Sequence, residues 1–395
     1  MLLVGAFAVS KSDASLGPSL APRQVETGFF RRRNYLAVSL PHQDSRAVRL
    51  LFVKLKHIGD ALLLTPTLAA VRAAYPQAEI WVVVRKGTEG ILAGCPAIDR
   101  LLTAALPETA KRSLFNGLQD LRLAMELRRQ QFDHAFELGN GDRGRILVAL
   151  SRAHRRCAND EVYRVPWYLR RRFDCLSKRG WRNEHQVEVA FNLVNEFLPL
   201  GVKEPPPLVF DRARADSYDL GMKLTDYVLI HPATRWQRKR WPIEKWIETG
   251  RELLRLVPKL VISVGPDAGE VQLGDTLAAA LGPQAISTRG QLSWAQLAGL
   301  LYRARLFVGV DTAAMHLAAA CQCPTIALFG PSTISQWHPW QVRHELVSPP
   351  GDVPHERRME DISADRVMAA CRRVLEKSLA PSDDRHPCEI NGEAH

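Results

Sequence analysis

The sequence predicts an α/β protein of two similar halves, each a parallel sheet covered by helices, facing one another across a central cleft. Three observations carry this. Short apolar runs alternate with helical periodicity from Val48 to Leu138. The stiff connector Lys203-Glu204-Pro205-Pro206-Pro207 then interrupts the chain, and the same alternation restarts beyond it. Polar motifs follow the strands of both halves, at the edge where open α/β sheets bind nucleotides and phosphates. With 395 residues, the chain is long enough for two sizeable cores.

Taken in order, residues 1–46 read as a disordered extension. Residues 48–53 (VRLLFV) form a buried strand, Lys54 to Gly59 a polar loop, and Asp60 to Tyr75 a helix that Pro66 kinks or restarts. Strands at Glu79–Val84 and His134–Leu138 flank a short helix at Gly87–Ala93 and a longer one at Leu114–Gln130. A helix at Gln186–Phe197 precedes the connector. In the second half, strands fall at Tyr227–Ile230, Lys259–Val264, Leu306–Val310 and Thr325–Phe329. Helices fall at Ile243–Leu256, Asp267–Leu281, Trp294–Tyr302, Ala313–Ala320 and Asp361–Leu379. The domains are therefore 47–204 and 205–378, with a disordered tail over 379–395.

A net charge of +11 and a pI near 9.5 predict attraction to something anionic: nucleic acid, an acidic membrane surface or a phosphorylated substrate. The excess is concentrated between Arg143 and Arg182, where only Asp160, Glu161 and Asp174 oppose a dense run of arginine and lysine. The seven cysteines are odd in number and scattered, and no CxxC pair suggests zinc, so reduced thiols in a cytosolic protein are expected. No apolar run reaches the length that spans a bilayer, and the apolar first residues lack the basic region of a signal peptide.

Four motifs bear on chemistry. Lys54-Leu55-Lys56-His57-Ile58-Gly59-Asp60 puts a carboxylate at the tip of the first strand, where it either caps a helix or takes a proton from an incoming hydroxyl. His231-Pro232-Ala233-Thr234-Arg235-Trp236-Gln237-Arg238-Lys239-Arg240 follows the first strand of the second half, and four cations in six residues suit a diphosphate. Gly265-Pro266-Asp267-Ala268-Gly269-Glu270 offers an acid where such folds bind ribose hydroxyls. Asp311-Thr312 ends a buried strand and opens a helix carrying His316, which makes either a simple N-cap or an anion-binding helix N-terminus. A separate GxGxxG, Gly139-Asn140-Gly141-Asp142-Arg143-Gly144, formally matches a dinucleotide fingerprint. Its place in the third βα unit and its crowding by arginines argue against hydride transfer.

Together, HIGDALLLTPTLAAVRAAYP, HPATRWQRKRWPIEKW and GVDTAAMHLAAACQCPTIALFGPS resemble the lipopolysaccharide heptosyltransferases of glycosyltransferase family nine, over about residues 48 to 375. Gln336-Trp337-His338-Pro339-Trp340 and the long basic loop most resemble the branch that adds the third heptose. The resemblance implies a GT-B fold: two Rossmann-like domains facing a cleft, the last helix crossing back to the first. It also implies an inverting, metal-independent transfer from ADP-L-glycero-D-manno-heptose to an inner-core lipopolysaccharide sugar. By the resemblance, Asp60 is the catalytic base and Lys239 a phosphate contact and catalytic cation. Thr234, Glu270, Asp311, Thr312, Ala313 and His316 are donor contacts. His185 falls in the acceptor half, and Arg85 and Arg143 join it as acceptor-binding residues. Ala313 and Ala314 stand where many members carry glycine and a larger residue.

On this reading Asp60 activates the acceptor hydroxyl, while Lys239, Thr234 and the helix N-terminus stabilise departing ADP. Asp311 caps its helix, since its charge facing a phosphate would be unfavourable. The arginine-rich stretch, with Arg85 and Lys86, meets an anionic acceptor and the acidic cytoplasmic surface of the inner membrane. No cofactor, metal or nucleic-acid partner is expected. The alternatives are a family member using another sugar nucleotide or acceptor, and a non-catalytic protein that binds an anionic polymer or glycolipid. The second explains the charge but not why Asp60, Lys239 and Asp311 share strand ends.

Overall fold

The computed structural model describes residues 47–105, 114–216, 226–351 and 353–379. The expectations for residues 1–46 and for the tail from 380 lie outside these. The first sheet contains β1 (Arg49–Lys54), β2 (Glu79–Arg85), β3 (Arg100–Ala104), β4 (His134–Glu137), β5 (Arg155–Asn159) and β6 (Cys175–Ser177). The second contains β7 (Tyr227–His231), β8 (Lys259–Ile262), β9 (Ala285–Ser287), β10 (Leu306–Val310), β11 (Thr325–Leu328) and β12 (His344–Val347). Their orders are β3-β2-β1-β4-β5-β6 and β12-β11-β10-β7-β8-β9, parallel throughout. Numbered within its own sheet, each is a doubly wound arrangement whose direction reverses between its first and fourth strands. That reversal opens a crevice at the carboxyl ends of β1 and β4, and another at those of β7 and β10.

The first half carries helices α1 (Ile58–Leu62), α2 (Thr65–Ala74), α3 (Leu114–Arg129), α4 (Asp142–Leu150), α5 (Trp167–Arg170) and α6 (Gln186–Phe197). Next come α7 (Arg212–Asp216), α8 (Ile243–Leu253), α9 (Ala268–Leu281), α10 (Trp294–Leu301), α11 (Ala313–Ala320), α12 (Ile334–Trp337) and α13 (Ala364–Leu379). The central strands are apolar on both faces because helices cover both sides. β10, Leu-Phe-Val-Gly-Val, is buried at every position. Helix starts follow local chemistry. Ser293 and Gln296 form a capping box on α10, and the Asp267 side chain accepts from Gly269 N at 3.0 Å to start α9.

Several expectations change. The helix foreseen from Asp60 to Tyr75 is two. His57 is the N-cap of α1, and Asp60 sits a turn inside it as the acid of a capping box, accepting from His57 N at 3.2 Å. The chain breaks at Leu63-Leu64, where the Thr65 hydroxyl donates to Leu62 O at 2.9 Å, and Pro66 lies in the first turn of α2. The short helix near Gly87 is only a 3₁₀ turn, Glu89–Ile91.

The described part of the last helix stays with the second half rather than crossing back as expected. α13 packs on α8 and on β10 to β12, and its Val367, Met368, Cys371 and Val374 belong to the second half's core. The halves are joined elsewhere. Val209 N donates to Thr65 Oγ1 at 3.1 Å across them, while Trp340 Nε1 and Gln341 Nε2 hold the proline connector by its Pro206 and Pro205 carbonyls at 3.2 and 3.0 Å. The six described cysteines are free and buried.

Candidate active site

Residues of both halves line one pocket. A pocket of about 520 Å³ is lined from the first half by Lys54, Lys56, His57 and Asp60, by Leu138 to Asn140, and by Val162, Tyr163, Trp181, Arg182 and Gln186. Thr333, Gln336 and Trp337 close it from the second half. Asp60 is 8% exposed, so its carboxylate reaches the pocket while the backbone around it is covered. The neighbouring Gly59 explains how the two halves approach so closely. A Cβ there would lie 3.3 Å from the His316 ring and 3.6 Å from the Ala313 backbone. Glycine therefore lets the turn that carries Asp60 touch the start of α11. From the same side, Arg235 Nη2 donates to His57 Nδ1 at 3.2 Å, bringing the basic loop of the second half to the turn before Asp60.

The start of α11 could receive an anion. Its N-cap, Thr312, makes no capping bond, because the hydroxyl turns back to donate to Val310 O at 3.3 Å. Among the described residues its first amides thus have no side-chain acceptor, at the positive end of an eight-residue helix. Asp311 does not cap the helix as expected. It accepts from Lys239 Nζ at 2.6 Å, so the phosphate-contact candidate and the strand-end acid form an ion pair beside those amides. Thr234 is buried and accepts from Trp236 N at 3.2 Å, which shapes the basic loop. Glu270 accepts from Gly265 N at 2.9 Å, at the carboxyl end of β8. His316 is 3% exposed, its Nδ1 has no partner among the described residues, and burial pushes its pKa down to about 4.

The three acceptor candidates are dispersed. Arg143 makes a two-point contact with Asp120, at 2.6 and 2.7 Å. Arg85 lies at the end of β2 with a buried Nε that has no partner among the described residues, near enough to His57 to oppose its protonation. His185 uses both ring nitrogens within the protein. Nδ1 accepts from Val187 N at 3.2 Å, and Nε2 donates to His338 O at 3.0 Å. Its ring stacks on Trp340 with centroids 4.7 Å apart, tying α6 to the second half. Much of the arginine-rich stretch is likewise spent internally. Arg145 is 2% exposed and donates to Arg164 O at 3.1 Å and to Tyr163 O, holding the loop that walls the pocket. Arg170 and Lys178 share Asp160, and Arg156 pairs with Asp174.

Residues not singled out from sequence complete the site. Lys54, at the tip of β1, is 2% exposed; burial lowers its pKa, while Asp60 and Glu137 work to raise it. Glu137, at the tip of β4, is fully buried and pushed up to about 7 by burial, although Arg145 and three backbone amides favour its charge. Those amides are Gly139, Asn140 and Gly141, at 2.9, 3.0 and 3.4 Å. The fingerprint loop thus wraps the protein's own carboxylate where a dinucleotide-binding loop would hold phosphate. A Cβ at Gly144 would sit 2.7 Å from the same carboxylate. The available sequence signal was Glu137 two residues before the first glycine of the motif.

Burial also sets a pH limit. His134, His185, His231 and His316 are pushed down to about 4, 3, 4 and 4 from 6.5. Each stays neutral when folded but takes a proton near pH 6.5 when unfolded. The stability this reflects is therefore present above pH 6.5 and is lost as the pH falls toward 4. A melting temperature followed from pH 7 to 4.5 should fall throughout, and less steeply in His185→Gln. A flat profile would contradict the burial.

Residues 121–364 match the sequence profile of glycosyltransferase family 9 (heptosyltransferase). The chain is similar to a lipopolysaccharide heptosyltransferase 3 of Escherichia coli, 28% identical over 287 residues that cover 71% of this chain and 83% of that one. In fold it resembles the family 9 glycosyl transferase of Veillonella parvula, with TM-score 0.71, 19% identity, and 84% and 97% of the two chains covered. It also resembles E. coli heptosyltransferase WaaC with ADP-2-deoxy-2-fluoro heptose, with TM-score 0.69, 21% identity, and 84% and 100% covered. Two doubly wound sheets sharing one cleft are thus the GT-B fold, and the chain belongs to glycosyltransferase family 9, the heptosyltransferase family.

Proposed function

We propose that this protein is an inverting heptosyltransferase of lipopolysaccharide core assembly, moving L-glycero-D-manno-heptose from ADP-heptose onto an inner-core sugar. The observation that carries the reading is the meeting of Asp60 with the uncapped start of α11 across Gly59. A proton acceptor and an anion site then flank the space where a sugar would be transferred. The names of the relatives supply the sugar and the glycan.

The acceptor hydroxyl gives its proton to Asp60 as its oxygen bonds to the anomeric carbon. The bond from that carbon to the diphosphate breaks on the opposite face, and ADP leaves with the electron pair, so the configuration inverts. Lys239, Thr234 and the first amides of α11 hold the diphosphate, with Asp311 keeping Lys239 in place until the donor arrives. Glu270 meets the nucleoside ribose. Lys54, Lys56 and Arg182 line the acceptor pocket with positive charge, suited to a phosphorylated core, and Trp181 and Trp337 offer sugar-stacking faces. The enzyme works at the cytoplasmic face of the inner membrane, where both substrates are reached. Among the described residues no helix is long and apolar enough to cross a membrane.

The test is product analysis. Purified protein, ADP-heptose and a heptose-deficient inner-core acceptor should yield an acceptor heavier by one heptose, with its anomeric centre inverted relative to the donor. UDP- and GDP-sugars should give none. Transfer from one of those in preference to ADP-heptose, or retention of configuration, would refute the proposal.

A further inference from the structure

The helical layer α3–α4–α5 covers one face of the first sheet. Leu123 and Leu127 of α3, Leu147 and Val148 of α4, and Val165 and Phe173 around α5 pack on Leu51, Val53 and Val83. With its inward side filled in this way, the outward side of the layer should be polar. It is not. On α3, Leu118, Leu121 and Met125 are 55%, 53% and 43% exposed at spacings that place them on one helical stripe. On α4, Ile146 and Leu150 are exposed one turn apart, at 41% and 40%. Trp167 is 85% exposed and Tyr168 56%, their rings meeting edge-on at 5.9 Å. The layer is continuous, since α3 packs on α4 and α4 on α5.

Charge surrounds these side chains. Arg122, Arg128, Arg129, Arg164, Arg171 and Arg172 are exposed and have no carboxylate partner among the described residues. The unpaired acids beside them are Glu126 and Glu161. The layer also adjoins the pocket. Tyr163, which lines it and lies 5.8 Å from the Trp181 ring, precedes Trp167 by one short loop.

We infer that the outer face of α3–α4–α5 docks on an anionic lipid bilayer, with Trp167, Tyr168 and the α3 stripe in the interface and the unpaired arginines on headgroup phosphates. Exposed aromatic and aliphatic side chains ringed by arginine match both components of an interfacial site, apolar area and anionic charge. A second copy of the chain fits less well, because self-association would bring the same unpaired arginines together. The inference rests on the acceptor being a lipid-anchored glycan, as proposed above. Docking through this face holds the pocket's entrance at the depth of the acceptor's sugars.

The experiment is flotation of the full chain with vesicles of phosphatidylcholine alone or with about a third phosphatidylglycerol, beside the triple variant Leu121→Ser/Met125→Ser/Trp167→Ser. Wild type should float with the anionic vesicles and be released by salt, and the variant should bind about tenfold more weakly. Turnover of a deacylated acceptor in solution should be equal in the two proteins, and turnover of vesicle-borne acceptor should fall only in the variant. Equal flotation of the two proteins would overturn the inference, as would a dimer in solution dissociated by the same substitutions. Vesicle binding is read without any sugar nucleotide, so failure of the transferase reading would show as absent turnover with flotation intact.

Discussion

Asp60→Asn is expected to lower acceptor-dependent ADP release by about a hundredfold or more while leaving donor affinity nearly unchanged. The amide keeps the size of the carboxylate, and its oxygen can still accept from His57 N, so the capping box of α1 survives. It cannot take a proton from the acceptor hydroxyl. Asp60 is buried and lines the pocket, while the proposed donor contacts are Lys239, Thr234 and the first amides of α11, so donor affinity should not depend on its charge. If Asp60 were only a cap, the variant would lose a fraction of a kcal/mol to about 1 kcal/mol of stability and keep its rate. Titrating donor binding by calorimetry beside the rate assay separates the outcomes. Retained rate with a lowered melting temperature would leave Asp60 as a structural cap.

Lys239→Met should reduce kcat/KM by about a hundredfold to a thousandfold, the usual loss when one donor of a charge-stabilising site is removed. Two effects combine. The cation near the leaving diphosphate is gone, and Asp311, 7% exposed at its side chain, keeps its charge beside the amides that should receive the phosphates. The second effect predicts non-additivity. Lys239→Met/Asp311→Asn should recover part of the loss, because the uncompensated carboxylate is removed as well. A double variant no better than the product of the single losses would mean that the pair at 2.6 Å does not report on the donor site.

The sequence showed most clearly what packing enforces. β1, β7 and β10 are continuous apolar runs because both their faces are covered, and α6, α10 and α11 begin beside residues that cap or turn the chain. β3, β6, β9 and β12 were illegible because each lies at a sheet edge, where a short strand needs only one neighbour and little apolar character. β5, Arg-Arg-Cys-Ala-Asn, hid inside the basic run. Asp60, Lys239, Asp311 and His316 could be singled out as candidates because strand-end motifs mark the crevices. Their partnerships could not. That Asp311 binds Lys239, and that Glu137 occupies the glycine loop, depends on chain segments brought together only by the sheets. The arginine stretch was legible only in part, for a related reason. Asp120 and Asp160 spend part of its charge, and only the folded layer shows which arginines remain exposed.

The most direct measurement is ADP release from ADP-heptose by the purified full chain, with and without inner-core lipopolysaccharide lacking its terminal heptose. Release that rises with acceptor concentration and is negligible without it is the predicted result. ADP-heptose that binds but is never turned over with any core acceptor would contradict glycosyl transfer, and failure of ADP-heptose to bind would contradict the donor.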